Sequence, residues 1–473
     1  MTFLPITTVV RSELEQSVWR ATGLLHRLGL REHARFATAV GNSGDGFALS
    51  WAATRAGVRE VALHPTASVA EARAPLEATR PTVLLVDRTT GAGVRAAADA
   101  LGVTTLPLAL AGELAREPAC ATPRTRPIGF TSGTTGVRKA VDVGVHDPAW
   151  GRSWLDDERA AFHDRHGDHA LVLSPLHHSG PFRHALVVAD AGGSVSVMAQ
   201  PNTNMLLQAL RQLRPTSLFC VPTHLYRLLR HPDLRADDLA SLTLLVHAGA
   251  ACPIDLKQQL LALAPNDSVW EFYGSTEGQF SVCSPADWQA APGSVGVARA
   301  GSALQVRSDD GKLCDAGQTG TVFVRAPSHA RWSYLDQPAA TAAAWDGDWF
   351  TVGDLATMDE GGRLTLRGRP CDLVITGGVN VYPAEVEQLL QTLPGVGEVA
   401  VFGVPDREWG QRLMAVVTAA DPSNPPAAAQ LRVLATELLS PARTPREFVL
   451  VPALPRTATG KIRRHDLDSL VTR

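Results

Sequence analysis

One run narrows what this chain can fold into more than any other: Ile128-Gly129-Phe130-Thr131-Ser132-Gly133-Thr134-Thr135-Gly136-Val137-Arg138-Lys139-Ala140-Val141. It passes from an apolar step through a block of hydroxyl and glycine residues to a lysine. Glycines let successive backbone N–H groups turn toward one point, hydroxyls add short donors, and Lys139 supplies a full charge. Such a concavity suits phosphate oxygens. It is not a Walker loop, because no Gly-Lys-Ser/Thr follows four residues after a glycine. On its own the run also reads as a flexible turn between two strands, so the chain must supply the rest of a site.

The 473 residues imply two or three domains, and 45% hydrophobic with 19% charged residues is the balance of a soluble globular protein. A net charge of -3 points to neither nucleic acid nor an anionic membrane as the main partner. No apolar run reaches the roughly 18 residues of a membrane span. Met1-Thr2-Phe3-Leu4-Pro5 lacks the basic-then-apolar pattern of a signal peptide. Cysteines at 120, 220, 252, 283, 314 and 371 show no C-x-x-C pair, so reduced thiols in a cytoplasmic protein are expected. Lysine occurs only at Lys139, Lys257, Lys312 and Lys461, so each is weighed as a specific point charge.

Up to about residue 125 helical patterns alternate with apolar strands, which predicts an α/β domain with a parallel sheet. Glu13 to Leu28 reads as a helix; Val61-Ala62-Leu63 and Thr82 to Asp87 read as strands. Gly41-Asn42-Ser43-Gly44-Asp45-Gly46 is a turn before a helix toward Ala56. Residues Gly144 to His169 read as a polar insertion. Its His163, His166 and His169 have no Cys or paired carboxylate at ligand spacing, which favours a solvated loop over a metal site. Leu171 to Leu176 is a strand ending at His177-His178-Ser179-Gly180. Two further strand-loop units follow, Ser217 to Pro222 and Thr243 to His247, the second leading into Ala248-Gly249-Ala250-Ala251. Those small residues would let a flat ring lie against backbone. Residues 296 to 345 suggest a small β-rich section. Beyond 372 come a strand at Leu373-Val374-Ile375 and an amphipathic helix from Pro383 with Val386, Leu389, Leu390 and Leu393 on one face. Strands at Glu398 to Val404 and Leu413 to Val417 are separated by Pro405-Asp406-Arg407-Glu408.

Four more segments stand in order behind the first: Trp270-Glu271-Phe272-Tyr273-Gly274-Ser275-Thr276-Glu277, Asp346 to Leu355, Arg367-Gly368-Arg369-Pro370-Cys371-Asp372, and Pro455-Arg456-Thr457-Ala458-Thr459-Gly460-Lys461-Ile462-Arg463-Arg464. Together the five resemble the acyl-adenylate-forming, AMP-binding superfamily over roughly residues 30 to 465, most closely its acyl-CoA synthetases. The resemblance implies a large N-terminal α/β domain (1–369) with parallel sheets and a small β-rich section. A small mobile α+β lid (370–473) would carry the catalytic lysine.

It also implies roles. Thr131, Ser132, Gly133, Thr134, Thr135, Gly136 and Lys139 would hold the β and γ phosphates of ATP. Gly249, Ala250, Ala251, Glu271, Phe272, Tyr273 and Gly274 would surround the nucleotide, Tyr273 stacking on adenine. Thr276 would bond a phosphate oxygen and Glu277 hold Mg²⁺, which needs only one or two carboxylates when phosphates supply the rest. Asp354 would take the ribose hydroxyls and Arg369 the ribose and phosphate region. His178 would flank the substrate carboxylate, Lys461 would charge the α-phosphoryl group, and Gly377-Gly378 would line the coenzyme A channel. Cys371 stands at the hinge where Lys or Asp is usual, and His177 stands where an aromatic is usual.

The implied reaction converts a carboxylic acid, apolar and either fatty or aryl, to an acyl-adenylate and then to an acyl-CoA. Two alternatives stay open at this level. One is transfer to the phosphopantetheine thiol of a carrier protein; the other is a catalytically silent acyl- or nucleotide-binding homologue.

Overall fold

The computed structural model describes residues 6–110, 120–131, 139–162, 167–368, 374–376, 379–381, 383–406, 410–439, 443–456 and 462–471. Its central sheet runs, in spatial order, Ile6–Val9, Ser194–Met198, His169–Val172, Ser217–Cys220, Leu244–His247, Val269–Gly274, Gln279–Cys283 and Val297–Ala298. The five strands from Ser194–Met198 to Val269–Gly274 are mutually parallel, and antiparallel strands close both edges. Leu171, Leu218, Leu245 and Val246 are at most 1% exposed. Strands covered on both faces in this way are the ones that pair in parallel.

A second, four-stranded parallel sheet orders Arg59–Ala62, Arg35–Ala39, Val83–Val86 and Thr104–Pro107. The helix expected at 13–28 runs Arg11–Arg27 and buries Leu14, Val18, Ala21 and Leu25 completely, one face at helical spacing. The 41–46 turn starts the helix Gly44–Ala56. Ser43 caps its first turn by accepting from the Gly46 N–H, and Gly57, at φ 67°, ends it.

The described residues of the 144–169 insertion do not form a solvated loop. Asp147 caps and Pro148 opens the helix Pro148–Ala161, which buries Trp150, Trp154 and Leu155. Its polar count hid a tryptophan-rich face at i, i+4, i+5. His169 begins a central strand and bonds Ser196 Oγ at 2.7 Å; His163 and His166 lie outside the described residues.

The β-rich section extends beyond 345. Ala303–Arg307, Gly320–Arg325, Trp345–Asp346, Trp349–Phe350, Leu355–Met358 and Leu364–Gly368 form one antiparallel sheet. In the C-terminal part Val396–Asp406 pairs with Gly410–Ala419, so the strand runs through the expected Pro405-Asp406 break. The helix Pro383–Leu390 buries Val386 and Leu390, and Leu393 beyond its end is also buried. Leu389 instead is 38% exposed, one position outside the stripe. Among the described residues no helix is long and apolar enough to cross a membrane.

Candidate active site

The C-terminal ends of the parallel strands open onto a cavity of about 820 Å³, where ligands of open α/β sheets ordinarily bind. Thr131, His178, Gly249, Gly274 and Thr276 all line it, although they come from distant parts of the chain. Arg456 and Arg463, on either side of the lysine segment, line it as well. Arg463 Nη2 donates to Glu71 Oε1 at 3.0 Å, tying the C-terminal part to the first helical turn after Ser68.

At one end the two limbs of the phosphate run close on each other. Thr131 N–H donates to Lys139 O at 3.0 Å, and the Lys139 N–H donates to Thr131 Oγ1 at 3.2 Å. Thr276 Oγ1 donates to Phe130 O at 3.2 Å. A Cβ at Gly129 would lie 2.5 Å from Thr276 Cγ2, so only glycine lets the two segments touch. The Glu277 carboxylate is 3% exposed. Its oxygens accept from the hydroxyls of Ser275 and Tyr334, the latter at 2.8 Å. Two neutral donors fix the carboxylate without neutralising it, so its remaining lone pairs suit a hard cation. Lys139 Nζ lies 4.6 Å from the centroid of the Tyr334 ring, a cation–π contact.

Tyr334 was not among the residues expected from sequence. Its strand Ser333–Tyr334 pairs with Ala140–Asp142, placing Tyr334 opposite Val141, next to Lys139. Nothing local in Ser333-Tyr334-Leu335-Asp336 announces this.

Strand alternation decides the nucleotide side. Along Val269–Gly274, Phe272 and Gly274 face the cavity, whereas Glu271 points to the other side of the sheet. There Glu271 Oε2 accepts from Lys257 Nζ at 2.9 Å, and the same ammonium lies 2.7 Å from His247 Nε2. Lys257 and His247 are fully buried and Glu271 is 5% exposed; burial, only partly offset by Lys257, raises the carboxyl's proton affinity. The expectation of a nucleotide ligand in the Glu271 side chain is therefore corrected: it belongs to a buried polar group beneath the sheet. Tyr273 Oη donates to Asp354 Oδ2 at 2.6 Å, and its ring meets Phe280 edge-on at 5.2 Å. Gly249 adopts φ +88°, and a Cβ there would find nothing nearer than Val221 Cγ1 at 3.7 Å. Gly249 lines the cavity, and it and its neighbours Ala250 and Ala251 are exposed.

His178 is the N-cap residue of the helix Ser179–Asp190. Glu158, from the unexpected helix, accepts from Arg183 Nε at 3.1 Å and Arg299 Nη1 at 2.9 Å, which locks this helix in place. Burial disfavours the Glu158 charge, yet the two guanidiniums bring its pKa to about 2. His177 packs between His64 and His178, with centroids at 5.1 and 4.0 Å. Burial, then its two histidine neighbours, holds its proton affinity well below the imidazole range. It fills the usual aromatic position as a neutral ring. Ser132, Gly133, Thr134, Thr135, Gly136, Arg369, Cys371, Gly377, Gly378 and Lys461 lie outside the described residues.

The cavity thus gathers Thr131, Thr276 and His178 with Arg456 and Arg463 from the C-terminal part. The chain belongs to the AMP-binding enzyme family: the model of that family matches residues 7–334, and the model of the AMP-binding enzyme C-terminal domain matches 385–461. Within the family it is acyl-CoA synthetase-like. It is 33% identical over 350 residues to an indoleacetate–CoA ligase of Aromatoleum aromaticum, covering 73% of this chain and 67% of the relative. A long-chain-fatty-acid–CoA ligase, FadD13, of Mycobacterium tuberculosis is 29% identical over 460 residues, 94% of this chain and 89% of the relative. A fatty acid–[acyl-carrier-protein] ligase, ScoC, of Streptomyces coeruleorubidus is 32% identical over 346 residues, covering 72% and 66%. The ATP-bound structure of MatB from Rhodopseudomonas palustris superposes with a TM-score of 0.84 at 27% identity, covering 97% of this chain and 92% of that one.

Proposed function

We propose that this protein is an AMP-forming acyl-CoA synthetase. A carboxylate oxygen attacks the α-phosphorus of ATP, forming an acyl-adenylate as the bond to pyrophosphate breaks. The thiol of coenzyme A then attacks the acyl carbon and AMP leaves. The observation that carries this reading is one continuous cavity. It joins a phosphate end (Thr131, Thr276), a helix cap at His178 and the arginines flanking the lysine segment.

In this reading the 131–136 run with Lys139 holds the β and γ phosphates, and Thr276 bonds a phosphate oxygen. Asp354, oriented by the Tyr273 hydroxyl, takes the ribose hydroxyls, with Arg369 beside it. Adenine lies against Gly249, Ala250 and Ala251. Glu277 would hold Mg²⁺, which when bound neutralises charge on the phosphates. His178 orients the substrate carboxylate. Lys461 stabilises the negative charge that accumulates on the α-phosphoryl group, so catalysis is chiefly positioning plus electrostatics. A boundary near 369/370, with Cys371 at the hinge, would let the C-terminal part turn and bring Gly377-Gly378 to the thiol channel. Six cysteines without a C-x-x-C pair fit the expected reducing, cytoplasmic setting.

The relatives named above include ligases for both coenzyme A and an acyl-carrier protein, so the acceptor is the second question to test. A panel of carboxylates assayed for pyrophosphate release, with and without coenzyme A, tests both points. Pyrophosphate release with no turnover of free coenzyme A would favour the carrier thiol, and no release at all would exclude adenylation.

A further inference from the structure

Beneath the cavity floor the central sheet carries a polar group that the proposed reaction does not touch. His247 ends the strand Leu244–His247, and Glu271 stands opposite it in register on the parallel strand Val269–Gly274. Their chain neighbours Val246, Ala248 and Phe272 line the cavity. Alternation therefore puts His247 and Glu271 side by side on the far face. The helix Ile254–Leu263 packs against that face through Leu256 and Leu260 and sets the fully buried Lys257 between them. Its ammonium donates to Glu271 Oε2 at 2.9 Å and to His247 Nε2 at 2.7 Å.

This arrangement is a poor source of stability. Taking charges out of water is costly, and an apolar core of the same volume is often as stable or more so. An ammonium has only hydrogens to give, so the imidazole accepts at Nε2 and carries its own hydrogen on Nδ1. Nδ1 meets no partner among the described residues, and an unpaired buried donor adds a further cost.

What the group does supply is position. His247 is the residue before the loop 248–253, and Lys257 lies in the first turn of the helix after it, its N–H donating to Pro253 O at 3.0 Å. Gly249, Ala250 and Ala251 are exposed, so contacts of their own hold little of this loop. Glu271 extends the tie to the strand that carries Phe272 and Gly274 to the cavity and Tyr273 to Asp354. Apolar contact is non-directional. Two acceptors bonded through one ammonium instead fix both strand ends and the helix start in one arrangement.

We infer that His247, Lys257 and Glu271 are positioning residues for the nucleotide, holding the loop 248–253 and the strand end at 272–274 where they receive the adenosine part of ATP. The inference rests on the adenylation reading above and deepens it. The three side chains act through the backbone between them, from the side of the sheet away from the cavity.

The test titrates the full chain with AMP by calorimetry, which returns affinity and bound fraction separately. Lys257→Met leaves a buried carboxylate unpaired and should lower both the urea midpoint and the AMP affinity. The triple variant His247→Leu, Lys257→Met, Glu271→Leu removes every member together and should regain a midpoint near that of wild type. Its AMP dissociation constant should still be about tenfold higher, the scale of losing hydrogen bonds to a charged group, with unchanged stoichiometry. Wild-type affinity in that variant would show that the group serves only the fold, overturning the assignment while leaving adenylation standing. Should the triple variant not fold, His247→Gln, which keeps an acceptor for Lys257, is set against His247→Leu, which does not. AMP should bind the glutamine variant as it binds wild type and the leucine variant about tenfold more weakly. Equal affinity in the two would overturn the assignment. Failure of wild type to bind AMP would overturn it outright, and whether adenylation stands is then read separately, from pyrophosphate release with the carboxylate panel.

Discussion

The Tyr334 hydroxyl donates to Glu277 Oε1 at 2.8 Å while its ring carries the Lys139 ammonium 4.6 Å from its centroid. One side chain thus touches both the carboxylate proposed for the metal and the cation proposed for the terminal phosphates. Hydrogen bonds to charged groups are worth about 1.5–3 kcal/mol. Tyr334→Phe, which keeps the ring, should raise the Mg²⁺ concentration for half-maximal pyrophosphate release by roughly tenfold. An unaltered Mg²⁺ titration with a lowered melting temperature would mean that the phenol serves only the fold.

Asp354 is oriented by Tyr273, and the proposed ribose contact is common to ATP and AMP. Asp354→Ala should weaken both nucleotides together, by about tenfold or more for a lost charge-assisted pair. Calorimetry showing wild-type AMP affinity would remove Asp354 from the ribose site.

Lys461 lies in sequence between Arg456 and Arg463, both at the cavity wall. In the proposed reaction its charge is needed only while the α-phosphoryl group is attacked. Lys461→Ala should cut adenylate formation by roughly 10², the cost of losing one preorganised electrostatic donor. It should spare conversion of a synthetic acyl-adenylate and coenzyme A to thioester. Gly378→Val should do the reverse. Equal damage to both half-reactions by both variants would mean that the C-terminal part does not alternate.

His177 is held neutral by burial and by His178 and His64, below its ordinary value of 6.5. Below that pH the unfolded chain binds more protons than the folded one. Stability is therefore fully present above about pH 6.5 and declines as pH falls. Buried His247 adds to the same slope, so one substitution removes only part of it. In His177→Phe, urea unfolding should lose stability less steeply than wild type between about pH 7 and pH 5. Parallel slopes would show that His177 titrates alike in both states.

Motif order made the phosphate end legible early, since Thr131, Thr276 and Glu277 sit in runs whose residue types state their chemistry. Among the readings that the structure changed, three show what a linear pattern cannot carry. Asp147-Pro148 and the Trp150, Trp154, Leu155 stripe lay inside a polar stretch, and composition outweighed spacing. Leu389 sits beside the buried stripe rather than in it. Glu271 shares a run with cavity residues, but strand alternation turns it to Lys257.

Sequence by itself determined the family, through the resemblance of five ordered segments, and the order of those segments. The chemistry proposed for them rests on glycine, hydroxyl and carboxylate groups at short spacing, which act locally. Only the tertiary structure decided which face each strand residue takes and which distant residues meet. Tyr334 reaches Glu277, and His184 reaches Ser217, through strand register and helix packing over long sequence separations. Those contacts depend on how whole elements pack, which no short stretch of chain encodes.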